Sequence, residues 1–150
     1  MNKLIASWFG IGYFKGGGTY ASIVTCIILY FLWQVPAVLA PLPNVVIALV
    51  IILVGIYVGN KVEPEWGKDS YRVVIDEVAG MWITMLFIPI NNWKLLLAGL
   101  ILFRFFDMVK PLFIRKLENL PGGTGVMMDD VLAGIYANIV LQVIVYLKLL

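Results

Sequence analysis

Phe103-Arg104-Phe105-Phe106-Asp107-Met108-Val109-Lys110-Pro111 closes one long apolar run, and Gly122-Gly123-Thr124-Gly125-Val126-Met127-Met128-Asp129-Asp130 opens the next. Ionisable groups set in membrane-grade apolar sequence are costly and mark function. Arg104, Asp107 and Lys110 recur every third residue, which at about 100° per residue places them on one broad helix face. Asp129 and Asp130 face back towards them across a glycine-rich connection.

The rest of the chain frames this stretch. Its 150 residues suit a single domain, residues 1–150. Composition is 62% hydrophobic and 13% charged, with a mean hydropathy of +0.97. Soluble domains carry about 25% charged residues, so this chain belongs in a bilayer. A net charge of +2 gives no argument for a nucleic-acid partner. The single cysteine, Cys26, excludes an internal disulfide and reads as a small packing residue. The absence of histidine removes imidazole acid–base catalysis, phosphohistidine chemistry and most zinc sites. Near the N-terminus, Lys3 precedes only a short apolar piece before Gly10 and Gly12, which is not the pattern of a signal peptide.

Apolar runs and breakers predict an all-α, polytopic membrane bundle of about five membrane helices with short interfacial helices. Met1–Phe9 reads as interfacial, and 10–19 as a glycine loop. The spans are expected at Tyr20–Leu39, Val45–Val58, Val73–Ile90, Trp93–Met108 and Val126–Leu150. Pro36, Pro41 and Pro43 end the first, Lys61–Arg72 forms a polar connector, and Asn91-Asn92 makes a tight turn. Pro111 stops the fourth helix, and Leu112–Leu120 reads as an amphipathic surface helix with Arg115, Lys116 and Glu118 outward. Threading five alternating spans leaves only Lys94 and Lys148 on one side. All nine acids and the other nine bases fall on the opposite side. The positive-inside rule makes that side cytoplasmic, with the N-terminus in and the polar site facing the cytoplasm of the inner membrane.

The converging acids are Asp76, Glu77, Asp107, Asp129 and Asp130. Asp76-Glu77-Val78-Ala79-Gly80 and Asp129-Asp130-Val131-Leu132-Ala133-Gly134 look like two versions of one device, carboxylates at a helix start with small residues one turn on. Helix-dipole capping, at about 0.3–1 kcal/mol each, explains one acid per helix but adjacent pairs badly. Two carboxylates about 5 Å apart repel by roughly 3 kcal/mol at an effective dielectric of ~20. Such a cluster calls for a cation, and an oxygen-only donor set points to Mg²⁺ or another hard metal.

Arg104 and Lys110 have two readings: a buried ion pair with Asp107, or, with Lys15, Arg115 and Lys116, a site for an anionic headgroup. Glycine runs at 16–18 and 122–125, with Thr19 and Thr124 near helix starts, offer backbone N–H groups of the kind that cradle oxyanions. Together these features predict phosphoryl chemistry on a membrane lipid. Cysteine phosphatases are excluded by the lack of Cys-x₅-Arg, and the haloacid-dehalogenase pattern by the lack of Asp-x-Asp. A small cation transporter would need a polar path, yet the only charged residues in the far half of any span are Lys94 and Lys148, at the span ends. A structural membrane subunit would not need clustered acids.

Three blocks resemble the phosphatidylglycerophosphatase A family: Ile75 to Thr84; Phe103-Arg104 with Asp107-Met108-Val109-Lys110-Pro111 and Ile114-Arg115; and Gly122 to Gly134. The N-terminal run departs from the family's Pro-Gly-Thr-x-Gly-Ser, reading Gly17-Gly18-Thr19-Tyr20-Ala21-Ser22, with Thr19 and Ser22 in place. The resemblance implies Mg²⁺-dependent removal of the terminal phosphate of phosphatidylglycerophosphate, giving phosphatidylglycerol. On this reading Glu77, Asp107, Asp129 and Asp130 hold the metal, and Asp76 or Asp107 serves as base. Arg104, Lys110, Lys15, Arg115 and Thr19 bind the substrate.

Overall fold

The structure, a computed structural model, describes every residue except 34, 36–39 and 91. Pro36 and Leu39 of the first expected span, and Asn91 of the expected turn, lie outside the described residues. The described chain is helical throughout: α1 (Asn2–Ala6), a 3₁₀ turn (Ile11–Tyr13), α2 (Gly17–Leu32), α3 (Pro41–Trp66), α4 (Ile75–Thr84), α5 (Trp93–Val109), α6 (Ile114–Leu117) and α7 (Gly122–Tyr146).

Among the described residues, two helices are long and apolar enough to cross a bilayer, α3 with 26 residues and α7 with 25. At about 1.5 Å per residue they reach ~37–39 Å, against a hydrocarbon core of ~30 Å. The second expected span is thus a longer helix than anticipated, and the fifth is a helix of the expected length that begins four residues earlier. α3 carries Lys61, Glu63 and Glu65 on its last turns, so half of the expected polar connector is helix. The fourth expected span matches α5, 17 residues from Trp93.

The third expected span, Val73–Ile90, is a helix only over the ten residues of α4. Pro89 disfavours helical backbone before it, and Phe87 takes a left-handed φ of 62°. The released carbonyls find a donor in α7: the Asn138 side-chain amide donates to Thr84 O at 2.9 Å and Leu86 O at 2.8 Å. Nine of the ten residues of α4 are buried, so the shortest core helix is sheathed by the others and carries no lipid-facing stripe. Trp82 Nε1 donates to Asn44 Oδ1 of α3 at 2.8 Å, satisfying its indole inside the bundle. Around α4, Leu29, Met81, Met85, Phe103 and Leu141 are fully buried.

The outer surface is apolar. Leu42, Leu49, Leu53 and Tyr57 of α3, Ile101 and Phe105 of α5, and Ile139 and Val143 of α7 are all exposed. A surface of that kind marks contact with lipid or with a partner.

The glycine runs are not loops. Gly17 and Gly18 begin α2, and Gly122 and Gly123 begin α7. Gly122, at φ 63°, and Gly123 lie hard against α3, where Asn60 Oδ1 accepts from the Gly123 N–H at 2.8 Å. That bond satisfies one of the free donors at the start of α7. The second run therefore serves helix packing, and it does not line the cavity described next.

Candidate active site

One end of the bundle holds a polar cavity of about 240 Å³. Gly16–Thr19 at the head of α2, Asp69–Tyr71 and Val73 before α4, and Asp76 and Glu77 in α4's first turn form one side. Arg104, Asp107 and Lys110 at the end of α5 and Asp129 and Asp130 of α7 form the other. Five separate segments deliver these groups, which is why no single motif in the sequence defines the site.

The crossing of α4 and α7 sets the centre. Oxygen atoms of Asp76, Glu77 and Asp130 lie within 4.8 Å of one another. Asp76 Oδ1 accepts from the Glu77 N–H at 3.1 Å. Glu77 Oε2 and Asp130 Oδ2 are buried and accept no hydrogen bond within the described residues. Were any two of these groups charged, each pair would repel by about 3 kcal/mol at an effective dielectric of ~20. Three crowded carboxylates with two orphaned oxygens fit a hard divalent cation.

The other two acids are engaged by cations. Lys110 Nζ donates to Asp129 Oδ2 at 2.7 Å and to Glu118 Oε1 at 2.6 Å. Arg104 Nη1 lies 2.7 Å from Asp107 Oδ2 and 3.8 Å from Glu77 Oε1. The contact with Asp107 has the distance of an ion pair but not the angle of a hydrogen bond, and Arg104 Nε and Nη1 are buried without an acceptor among the described residues. Burial works to lower the Lys110 pKa, but Asp129 and Glu118 outweigh it and hold the ammonium above its usual range. Two of its three donors are committed, which leaves one for a ligand.

The sequence expectation and the geometry differ in several places. The carboxylate group contains Asp76, and neither Asp107 nor Asp129 is part of it. Lys110 pairs with Asp129 and Glu118, not Asp107, because it follows α5 with a left-handed φ of 47° that swings it towards α7. Glu118, expected to face outward, turns in to meet it. Asp129 and Asp130 lie two turns inside α7, so they are not caps. Thr19 lines the cavity. Arg115 does not: it is exposed, with Nη2 donating to Val109 O at 3.5 Å. Lys15 is exposed and lines a neighbouring groove. Asp69, Ser70 and Tyr71 also line the cavity, outside every run that the sequence marks as functional. The run Gly67-Lys68-Asp69-Ser70 signals a turn, but nothing in it tells which way the turn points.

Six carboxylates and two cations line the cavity, a formal excess of four negative charges. Phosphate would be repelled from it without a cation. Crowded acids beside an arginine and a lysine, in a cavity lined by no histidine or cysteine, suit a class: the phosphohydrolases. Comparison supplies the family. The family model described as Phosphatidylglycerophosphatase A matches residues 4–145, and the chain belongs to that family of phosphatases.

A Bacteroides thetaiotaomicron protein named "Putative phosphatidylinositol-3-phosphatase" is 44% identical over 146 residues, covering 93% of this chain and 91% of that one. Two proteins named Phosphatidylglycerophosphatase A also match. The one from Escherichia coli K12 is 39% identical over 99 residues, and the one from Haemophilus influenzae Rd is 45% identical over 96. Each match covers 63% of this chain, and 58% and 59% of those proteins respectively. No solved structure matches the chain.

Proposed function

We propose that the chain is a Mg²⁺-dependent lipid phosphatase that removes the terminal phosphate of phosphatidylglycerophosphate at the cytoplasmic face of the inner membrane. The observation that carries this reading is the charge balance of the cavity: crowded carboxylates with orphaned oxygens, beside two cations with free donors. Asp76, Glu77 and Asp130 would hold the metal. Bound there, Mg²⁺ would offset the acids, polarise the phosphate and lower the pKa of an attacking water.

The protein's own residues do the rest. Arg104, whose Nε and Nη1 make no hydrogen bond among the described residues, and Lys110, with one free donor, grip the phosphate oxygens. Asp107, held by Arg104, lines the same cavity, and on this reading takes the proton of the attacking water. Water oxygen bonds to phosphorus, the phosphorus–glycerol oxygen bond breaks, and the leaving alkoxide takes up, directly or through solvent, the proton that Asp107 received from the water.

A five-span arrangement with the N-terminus in is part of this proposal. α2 and α5, of 16 and 17 residues, fall short of the ~20 that cross unaided. α4 crosses only with the irregular stretch that follows it, tolerable at membrane depth because Met85, Ile88 and Ile90 are buried and Asn138 satisfies its carbonyls.

A second reading, hydrolysis of a phosphoinositide 3-phosphate, is favoured by the name and near-complete coverage of the Bacteroides relative. Phosphate release from phosphatidylglycerophosphate, phosphatidylinositol 3-phosphate and phosphatidic acid, with Mg²⁺ and with chelator, tests both. Release that survives chelation removes the metal; release fastest from the inositol lipid selects the second reading.

A further inference from the structure

Beside the carboxylate cavity lies a groove of about 420 Å³ lined by Ile11, Phe14, Lys15, Tyr20 and Val24. The two spaces share a wall. Gly16–Thr19 face the cavity, while Lys15 just before them and Tyr20 just after them face the groove. That wall is as thin as backbone allows: a Cβ on Gly18 would come within 1.9 Å of Glu77 Oε1. The electrostatics reverse across it. The cavity carries an excess of acids, whereas the groove's one charged residue is Lys15, exposed and without an ion pair among the described residues.

Apart from Lys15 and the Tyr20 hydroxyl the groove is apolar, and the α2 face that carries Tyr20 and Val24 continues beyond it. Tyr20, Val24, Ile27 and Phe31 recur at helical spacing on one face, and Tyr20, Ile27 and Phe31 are at least half exposed. The occupant such a groove fits is an amphiphile with an anionic group at its head and hydrocarbon below it.

We propose that Lys15 binds the internal phosphodiester of the lipid substrate and that the groove beneath it receives the diacylglycerol end, while the terminal phosphate enters the cavity across the glycine wall. This rests on the lipid-phosphatase reading above. Lys15 is then a specificity residue: it favours lipids with a phosphodiester one polyol away from the scissile phosphate over phosphatidic acid, which has none. A charge-assisted contact of this kind corresponds to about tenfold in kcat/KM.

The test compares wild type, Lys15→Gln and Lys15→Arg in mixed micelles. The substrates are phosphatidic acid and whichever of phosphatidylglycerophosphate or phosphatidylinositol 3-phosphate the wild type turns over faster. The expected result is a fall of about tenfold in the diester-lipid to phosphatidic-acid ratio of kcat/KM for Lys15→Gln, through KM, with the ratio restored in Lys15→Arg. A structural role would lower both substrates together. An active Lys15→Gln enzyme with an unchanged ratio overturns the inference alone. A wild type that cleaves none of these lipids sinks the phosphatase reading and this inference with it.

Discussion

Gly80 of α4 and Gly134 of α7 meet backbone to backbone: a Cβ on Gly134 would lie 2.4 Å from the Gly80 carbonyl oxygen. Asp76 and Asp130 each stand four residues, one helical turn, before these glycines. The close crossing therefore fixes where the two carboxylates face each other. Gly134→Ala is expected to push the helices apart, costing about 1–3 kcal/mol as other overpacked cores do, and to lower activity together with stability. Thermal unfolding in detergent beside phosphate release checks it. Wild-type stability and activity would mean that the crossing is not what positions the acids.

Gly18 gives the opposite signature. The atom its added methyl would strike is the Glu77 carboxylate, the far end of a flexible side chain. Gly18→Ala should leave the melting temperature within about a degree, since the carboxylate can swing away, which fits a change of no more than ~0.5 kcal/mol. Turnover and Mg²⁺ affinity should fall at least tenfold, read by titrating the metal against activity. Unchanged Mg²⁺ dependence would place Glu77 outside the metal group.

Asp130→Asn removes one charge from the crowded group while keeping its shape. Activity is expected to drop about a hundredfold or more, since even outer-shell partners of a metal are worth 10–100-fold. Stability separates this role from a structural one. The wild type should melt higher as Mg²⁺ is added, as any ligand bound only by the folded state requires, and Asp130→Asn should lose most of that rise. A variant that melts and works like the wild type across the Mg²⁺ series would exclude Asp130.

The division of charges predicts the topology. In a Cys26→Ala background, a cysteine at Asn92 should react with an impermeant thiol reagent added outside intact cells, and one at Lys68 should not. The reverse labelling would put the cavity on the outer face.

Much of this was legible in the residues and some was not. Periodicity and length recovered α3, α5 and α7, because a long apolar run has one way to satisfy its backbone in lipid. They failed for Val73–Ile90, where the helix ends at Thr84 ahead of Pro89 and Asn138, 52 to 54 positions away, supplies the donors that an unbroken helix would not need. The acids were legible from chemistry, since clustered carboxylates in apolar sequence demand a reason. Their pairing was not. Whether Lys110 faces Asp107 or Asp129 depends on a left-handed residue between two helices, and whether Gly122 cradles phosphate or packs on Asn60 depends on a crossing between distant segments.

Lys110 offers the sharpest separation of roles, because the structure places its ammonium between Asp129 and Glu118. Its pKa is raised, so the stability it supplies is complete below the unfolded-state value near 10.5 and is lost only as pH rises above it. Lys110 therefore contributes no pH dependence between pH 6 and 9, and any basic limb of activity there must come from other groups. Removing the charge is another matter. Lys110→Met leaves Asp129 buried without its partner; a fully buried pair would cost about 3–5 kcal/mol to break, and with Lys110 partly exposed the expected loss is nearer ~2 kcal/mol. Lys110→Met with Asp129→Asn removes the orphaned charge and should recover most of that stability. Activity should stay low in both, because the donor that meets the phosphate is gone. Recovery of activity along with stability in the double variant would show that Lys110 only holds Asp129 in place, and would leave Arg104 as the group that grips the phosphate.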